Sequence, residues 1–202
     1  MIDLVENKKQ FLKLYNKYIT RTGAKDLLLW IEGTDFFEAP ASSMYHLNEA
    51  GGLCQHSLNV YNRLNKILRD EYGEKYAEQF HGMETIAIVS LLHDLCKANF
   101  YVEEMRNVKI DGKWEQVPYY KVKEDFHFGH GAKSVYIIQN FMPLDLDEAS
   151  AIRYHMGGME YPNANFIEPN ITDVYNDFPL ALFTHMADLQ SAYIDEKVTK
   201  DE

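Results

Sequence analysis

Val89-Ser90-Leu91-Leu92-His93-Asp94-Leu95-Cys96-Lys97 sets an imidazole beside a carboxylate at the end of an apolar run. Read as a helix, Ile86, Val89, Leu92, His93 and Cys96 recur at spacings of three and four, so one face is apolar. His93 falls on that inward face, and Asp94 is turned about 100° from it. An ionised carboxylate is costly to bury beside an imidazole unless hydrogen bonds or a cation compensate. Two readings follow. Either the ring N–H satisfies the acid inside an ordinary core, or a divalent metal compensates both groups.

Working outward, His56 stands in Gly51-Gly52-Leu53-Cys54-Gln55-His56-Ser57-Leu58-Asn59-Val60, and Asp188 in His185-Met186-Ala187-Asp188-Leu189. Gly129-His130-Gly131 and Tyr154-His155-Met156-Gly157 lie between them. A first His, a His-Asp pair 37 residues on (93 − 56), and a distant Asp near the C-terminus resemble the HD-domain superfamily of metal-dependent phosphohydrolases. The resemblance runs from about residue 40 to about residue 195. It implies an all-α helical bundle in which His56, His93, Asp94 and Asp188 bind a divalent ion. Lys97 matches the lysine that lies near the phosphate in HDxxK variants. Its other reading is an exposed charge favoured by the helix C-terminus. His130 and His155 match extra histidines that bind either a second ion or the phosphate. Several HD deoxynucleotidases have a glutamate where this chain has Lys97, which argues against transferring their activity directly.

The 202 residues are 46% hydrophobic and 13% aromatic, which suits one domain spanning 1–202. No apolar run approaches the roughly 20 residues of a membrane span. The first residues lack the basic region and cleavage site of a signal peptide, so a cytoplasmic protein is expected. Cys54 and Cys96 form neither a CxxC pair nor a zinc-finger spacing, and reduced thiols buried as small hydrophobes are the default. Formal net charge is −11, from 20 basic and 31 acidic residues. That disfavours a long nucleic-acid partner, which requires a basic stripe, but allows a small anion held by a local cation.

Helices are expected over about 4–21, 27–31, 52–71, 84–97, from Gly129 past Phe141, 145–154 and 178–194. From Phe100 the apolar period falls to two, and Asp111-Gly112 sits between short β-prone runs, so a β-hairpin is predicted at about 100–122. It starts so soon after the His-Asp pair that its base must lie near the site. Tyr119, Tyr120, Phe126 and Phe128 read as core cover or as stacking surfaces for a base. His46 reads as scaffold, His81 as surface, 160–177 as a long loop, and 195–202 as a solvated end.

Two imidazoles and two carboxylates form a mixed nitrogen and oxygen set suited to Mn²⁺, Mg²⁺, Fe²⁺, Co²⁺, Ni²⁺ or Zn²⁺. Thiolate ligation by Cys96 is disfavoured, because a helix would point it along the apolar face. One tightly held ion is expected, with His130 and His155 serving the phosphate; a second ion bridged by Asp94 is the alternative. The expected activity is a metal-dependent phosphohydrolase acting on a small nucleotide or related phosphoester. A short-oligonucleotide exonuclease or cyclic-nucleotide phosphodiesterase is the first rival, since the pattern is closest to bacterial 3′→5′ exoribonucleases. Their OB-fold domain has no counterpart in this sequence. A catalytically silent, nucleotide-binding regulatory domain is the second.

Overall fold

The computed structural model describes residues 2–124, 127–157 and 170–197. Its elements are α1 (Leu4–Tyr18), α2 (Ala24–Glu32), α3 (Gly52–Tyr72), α4 (Met83–Leu92), the strands β1 (Tyr101–Ile110) and β2 (Lys113–Val122), α5 (His130–Gln139), α6 (Leu146–Arg153), α7 (Ile171–Asp177) and α8 (Pro179–Gln190). A 3₁₀ turn, Leu95–Lys97, follows α4, and a π turn, Ser191–Asp195, follows α8. The fold is mainly α-helical with an inserted antiparallel hairpin, as the sequence implies.

α4 is the axis of the bundle. Thr85–Leu92 are all buried, so the helix has no polar face and must be surrounded. α3, α6 and α1 pack on it, and α8 closes the far side of α3 and α6. On α3, Leu53, Val60, Leu64 and Leu68 are buried, with His56 among them. Truncating a buried leucine such as Leu91 to Ala in such a core costs about 2–5 kcal/mol. Among the described residues Glu148 is the one fully buried acid outside the site. Arg21 clamps it through two bonds of 2.7 and 2.6 Å, Thr85 Oγ1 adds a third at 2.8 Å, and α6 is thereby locked to α4.

The hairpin turns at Asp111 and Gly112, both with positive φ (48° and 83°), the conformation that suits a two-residue connection. Tyr101 pairs with Val122 at the base, and Lys123 N–H donates to Phe100 O at 2.8 Å.

Three expectations change. The helix read to Lys97 stops at Leu92, because Asp94 leaves helical geometry (φ −102°, ψ 21°). The loop read over 160–177 contains α7, which Asn170 caps through the Thr172 N–H. The end read as solvated from 195 contains Glu196, which is only 6% exposed. Phe126, residues 160–169 of that loop and residues 198–202 of the tail lie outside the described residues.

Candidate metal centre

Each candidate ligand comes from a place where regular structure begins or breaks. His56 lies in the second turn of α3, whose start is pressed against the preceding segment. A Cβ on Gly52 would sit 2.1 Å from Leu47 O, so only glycine lets the helix begin there. His93 and Asp94 stand where α4 gives way to the 3₁₀ turn, and Asp188 is in the last turn of α8. His56 Nε2 is 3.2 Å from His93 Nε2, 3.1 Å from Asp188 Oδ1 and 3.7 Å from Asp94 Oδ2. His93 Nε2 is 3.5 Å from Asp94 Oδ2. The four residues named from the sequence therefore converge, and all are buried.

The tautomers decide what this convergence means. His93 Nδ1 lies 2.9 Å from Ser90 O and His155 Nδ1 lies 2.7 Å from Ile152 O. A carbonyl only accepts, so both Nδ1 atoms carry hydrogen. His56 Nδ1 faces both oxygens of Glu196 at 2.9 and 3.0 Å. Burial pushes the Glu196 carboxyl up, but His46, His56 and Asn59 outweigh it and hold it down at about 2, so it accepts as a carboxylate. With the rings neutral, all three Nε2 atoms would present lone pairs toward one another and toward carboxylates; without an ion, His56 holds both ring protons and its Nε2–H donates to Asp188. His155 Nε2 is buried without a hydrogen-bond partner although Asp94 Oδ1 is 3.4 Å away, since two acceptors make no bond. One proton between His56 and His93 would relieve that pair and leave His155 unrelieved.

A divalent ion fits this donor set. Nitrogens about 2.1 Å from one ion lie about 3.0 Å apart at a right angle and about 3.4 Å apart at the tetrahedral angle. The observed 3.2 Å falls between. Backbone and carboxylate partners on the far ring nitrogens are the usual support of ligating imidazoles.

Asp94 divides the centre in two. Its Oδ2 faces His56, His93 and Lys97 Nζ, the last at 2.7 Å. Its Oδ1 faces His130 Nε2 at 2.6 Å and His155 Nε2 at 3.4 Å. Cys96 Sγ lies 3.3 Å from His130 Nδ1, because the 3₁₀ turn swings it off the face a continuous helix would give it. Gly131 makes this half possible: a Cβ there would meet Arg153 O at 2.3 Å, so the start of α5 can abut the end of α6. The ligand atoms of His56, His93 and Asp188 lie within 4.8 Å of one another, and so do those of His93, Asp94 and His155 and those of Asp94, Cys96 and His130.

Burial opposes every charge here, and partners overcome it. Lys97, His93 and His130 hold the Asp94 carboxyl well below the usual range, and His56 does the same for Asp188. Asp94 keeps Lys97 above its usual value. With no ion, hydrogen bonds to Asp188 and Glu196 raise His56 to about 10, and Cys96 and Asp94 raise His130 to about 10. His93, where burial dominates, is lowered. With neutral rings, three ionised carboxylates and one ammonium leave the centre at −2, the charge one divalent ion cancels.

A cavity of about 280 Å³ opens onto His56, Asp94, Lys97 and Asp188. His155 is fully buried and its free nitrogen is an acceptor, which speaks against the expected hydrogen bond from it to a phosphate. The geometry suits a ligand better. Lys97 is buried against Asp94, not an exposed helix-end charge. Tyr119 and Tyr120 line a separate groove between the hairpin and residues 43–50. His81 is 68% exposed at its side chain, as read.

Sequence reasoning missed Glu196, which holds His56; His46, read as scaffold, supports it, with Nδ1 2.5 Å from Glu196 and its ring 4.8 Å from that of His56. It also missed His185, whose Nδ1–H donates to His155 O at 2.5 Å. For Glu196 the only signal was an acid eight residues after Asp188, and the π turn between them defeats helical spacing. No family model, curated protein or solved structure matches the chain. Among the described residues no helix is long and apolar enough to cross a membrane.

Proposed function

We propose that this chain is an HD-type, metal-dependent phosphohydrolase acting on a nucleotide or related phosphoester. The observation that carries the reading is the convergence of the Nε2 atoms of His56, His93 and His155, turned by Glu196, Ser90 O and Ile152 O toward Asp94 and Asp188, with His155 Nε2 buried and unpartnered. His56, His93, Asp94 and Asp188 hold the first ion. His155, His130 and Oδ1 of Asp94 form a second half-site, with Cys96 beside it. A divalent ion there would lower the pKa of a bound water from about 15.7 toward about 7 and polarise a phosphoryl oxygen. Lys97 holds Asp94 ionised and presents its ammonium at the cavity, where a phosphate oxygen can share it. His56 and Asp188 define the cavity wall from which the phosphate is approached, and the apolar core behind them keeps bulk water out.

Metal analysis of purified protein comes first. It is followed by a phosphoester panel with Mn²⁺, Mg²⁺, Co²⁺ and Ni²⁺, including p-nitrophenyl phosphate and bis-(p-nitrophenyl) phosphate. Bound metal and hydrolysis of at least one ester are expected, and preference between the two esters separates a monoesterase from a diesterase. Protein that retains no ion and hydrolyses nothing under any of the four refutes the reading.

A further inference from the structure

The cavity at the metal centre has two unlike walls. One carries His56, Asp94, Lys97 and Asp188; the other carries Met156, Leu189 and Ala192, with Tyr45 and Tyr193. The tyrosine side chains are left largely in solvent, with the residues 77% and 69% exposed. Burying aromatic surface is favourable, so two such rings at the mouth of one buried polar centre need a reason.

Their backbones are fixed. Tyr45 N–H donates to Ser42 Oγ at 2.8 Å, and Ser42 Oγ donates to His46 O at 2.8 Å, so residues 42–46 are tied in a knot. Tyr193 rides on the π turn between Asp188 and Glu196. That turn is pinned at its end by the Arg63–Asp195 ion pair and by the bonds Glu196 accepts from His46, His56 and Asn59. A π turn inserted at a helix end is often found at functional sites. Here it puts an aromatic ring five residues after a metal-site carboxylate. Exposed rings on anchored backbone give a stacking surface whose ordering cost is met before any ligand arrives.

The polar wall is poor in cations. Of the chain's 20 lysines and arginines, Lys97 alone among the described residues lines the cavity, and it is engaged by Asp94. Once one phosphate is at the centre, a second or third would meet Asp94 and Asp188 with no further lysine or arginine among the described residues lining the cavity to offset them. A polyphosphate chain is therefore disfavoured.

We infer that Tyr45 and Tyr193 are the specificity-determining residues of this cavity, which takes an ester with one phosphate and a planar ring. The ring packs on the tyrosines and on Met156, Leu189 and Ala192, while the phosphate faces Asp94 and Lys97. The inference rests on the hydrolase reading only in placing the phosphate at the ion.

The test is binding to the full chain loaded with Mn²⁺, at matched free Mn²⁺, of AMP, ribose 5-phosphate and ATP. KM replaces the dissociation constant for any compound that is turned over. Stacking of one base is worth about 5- to 150-fold in affinity. AMP should bind about tenfold or more tighter than ribose 5-phosphate, and ATP no tighter than AMP. Tyr193→Ala and Tyr45→Ala should each erode the advantage of AMP without moving ribose 5-phosphate, and Tyr193→Phe should restore it. Both side chains are exposed, so these variants keep the core intact. Equal affinity for AMP and ribose 5-phosphate, tighter binding of ATP, undetectable AMP binding, or unchanged selectivity in both Ala variants overturns the inference. If AMP binds in the expected pattern but no phosphoester is hydrolysed, the hydrolase reading fails and the ring platform stands.

Discussion

Glu196→Gln is the sharpest perturbation of the centre, because it changes one atom and one charge at a residue that touches no substrate. Glu196 accepts from His56 Nδ1 at 2.9 and 3.0 Å, from His46 Nδ1 at 2.5 Å and from Asn59 Nδ2 at 2.8 Å. Glutamine has one acceptor oxygen for these donors, and its NH₂ must face at least one of them. His56 then loses the carboxylate that fixes its tautomer, and the ion-free centre loses one unit of negative charge. Removing a partner behind a metal-ligating histidine typically costs 10- to 100-fold in metal affinity, or about 1.4–2.7 kcal/mol. The acid limb of stability should change as well. Glu196 is held down from 4.5 to about 2, so its contribution is fully present above about pH 4.5 and lost as pH falls toward 2. The Gln variant lacks that loss. Competition titration against a chromophoric chelator, with far-UV circular dichroism as the folding control, reads the first effect. Denaturant midpoints from pH 2 to 6 read the second. A dissociation constant within twofold of the native protein, with an unchanged acid limb, would refute the role given to Glu196.

Asp94→Asn keeps the shape but removes the charge that serves both halves of the centre, so bound metal and hydrolysis should vanish while the helical spectrum persists; stoichiometric metal with full activity would sink the assignment. Lys97→Met should retain the ion and lower kcat/KM at least tenfold, and an unchanged kcat/KM would leave Lys97 a purely structural partner of Asp94. Metal uptake at pH 8 should release close to one proton from His56, which sits at about 10 without the ion, and a second from His130 if the other half-site fills. Calorimetry in buffers of different ionisation enthalpy counts them, and release of none contradicts the ligand set. Chelation should lower the melting temperature, since an ion at 100 times its dissociation constant adds about 2.7 kcal/mol, or roughly 5–11 °C at this size. An unshifted melting curve after verified metal removal would count against ion binding by the native state.

Much of the bundle was legible because its signals are local. The stripe on α3 and the unbroken apolar run of α4 fix buried helices, and Asp111-Gly112 fixes the hairpin register from Tyr101–Val122 to Ile110–Lys113. The order of histidines and aspartates named the residues that converge, yet it could not say how. Whether His155 can donate depends on the carbonyl of Ile152, and a main-chain acceptor leaves no trace in side-chain identity. The position of Cys96 was misread for a related reason. Helical spacing was carried past Leu92, where the chain had already changed pitch.

Those changes of pitch explain how a few ligands from distant segments meet in one place. A regular helix presents a face only every three or four residues, so His93 and Asp94 of an unbroken α4 would point about 100° apart. Ending α4 at Leu92 lets both serve one centre while Lys97 returns to Asp94 from three residues on. The π turn after α8 does the same at the other wall. It carries the chain from Asp188, which faces His56 Nε2, round to Glu196, which faces His56 Nδ1. His56 is thus gripped from both ring nitrogens by one terminal segment, some 140 residues away in sequence. The grip fits the role proposed for His56, a ring whose inner nitrogen is offered to an ion.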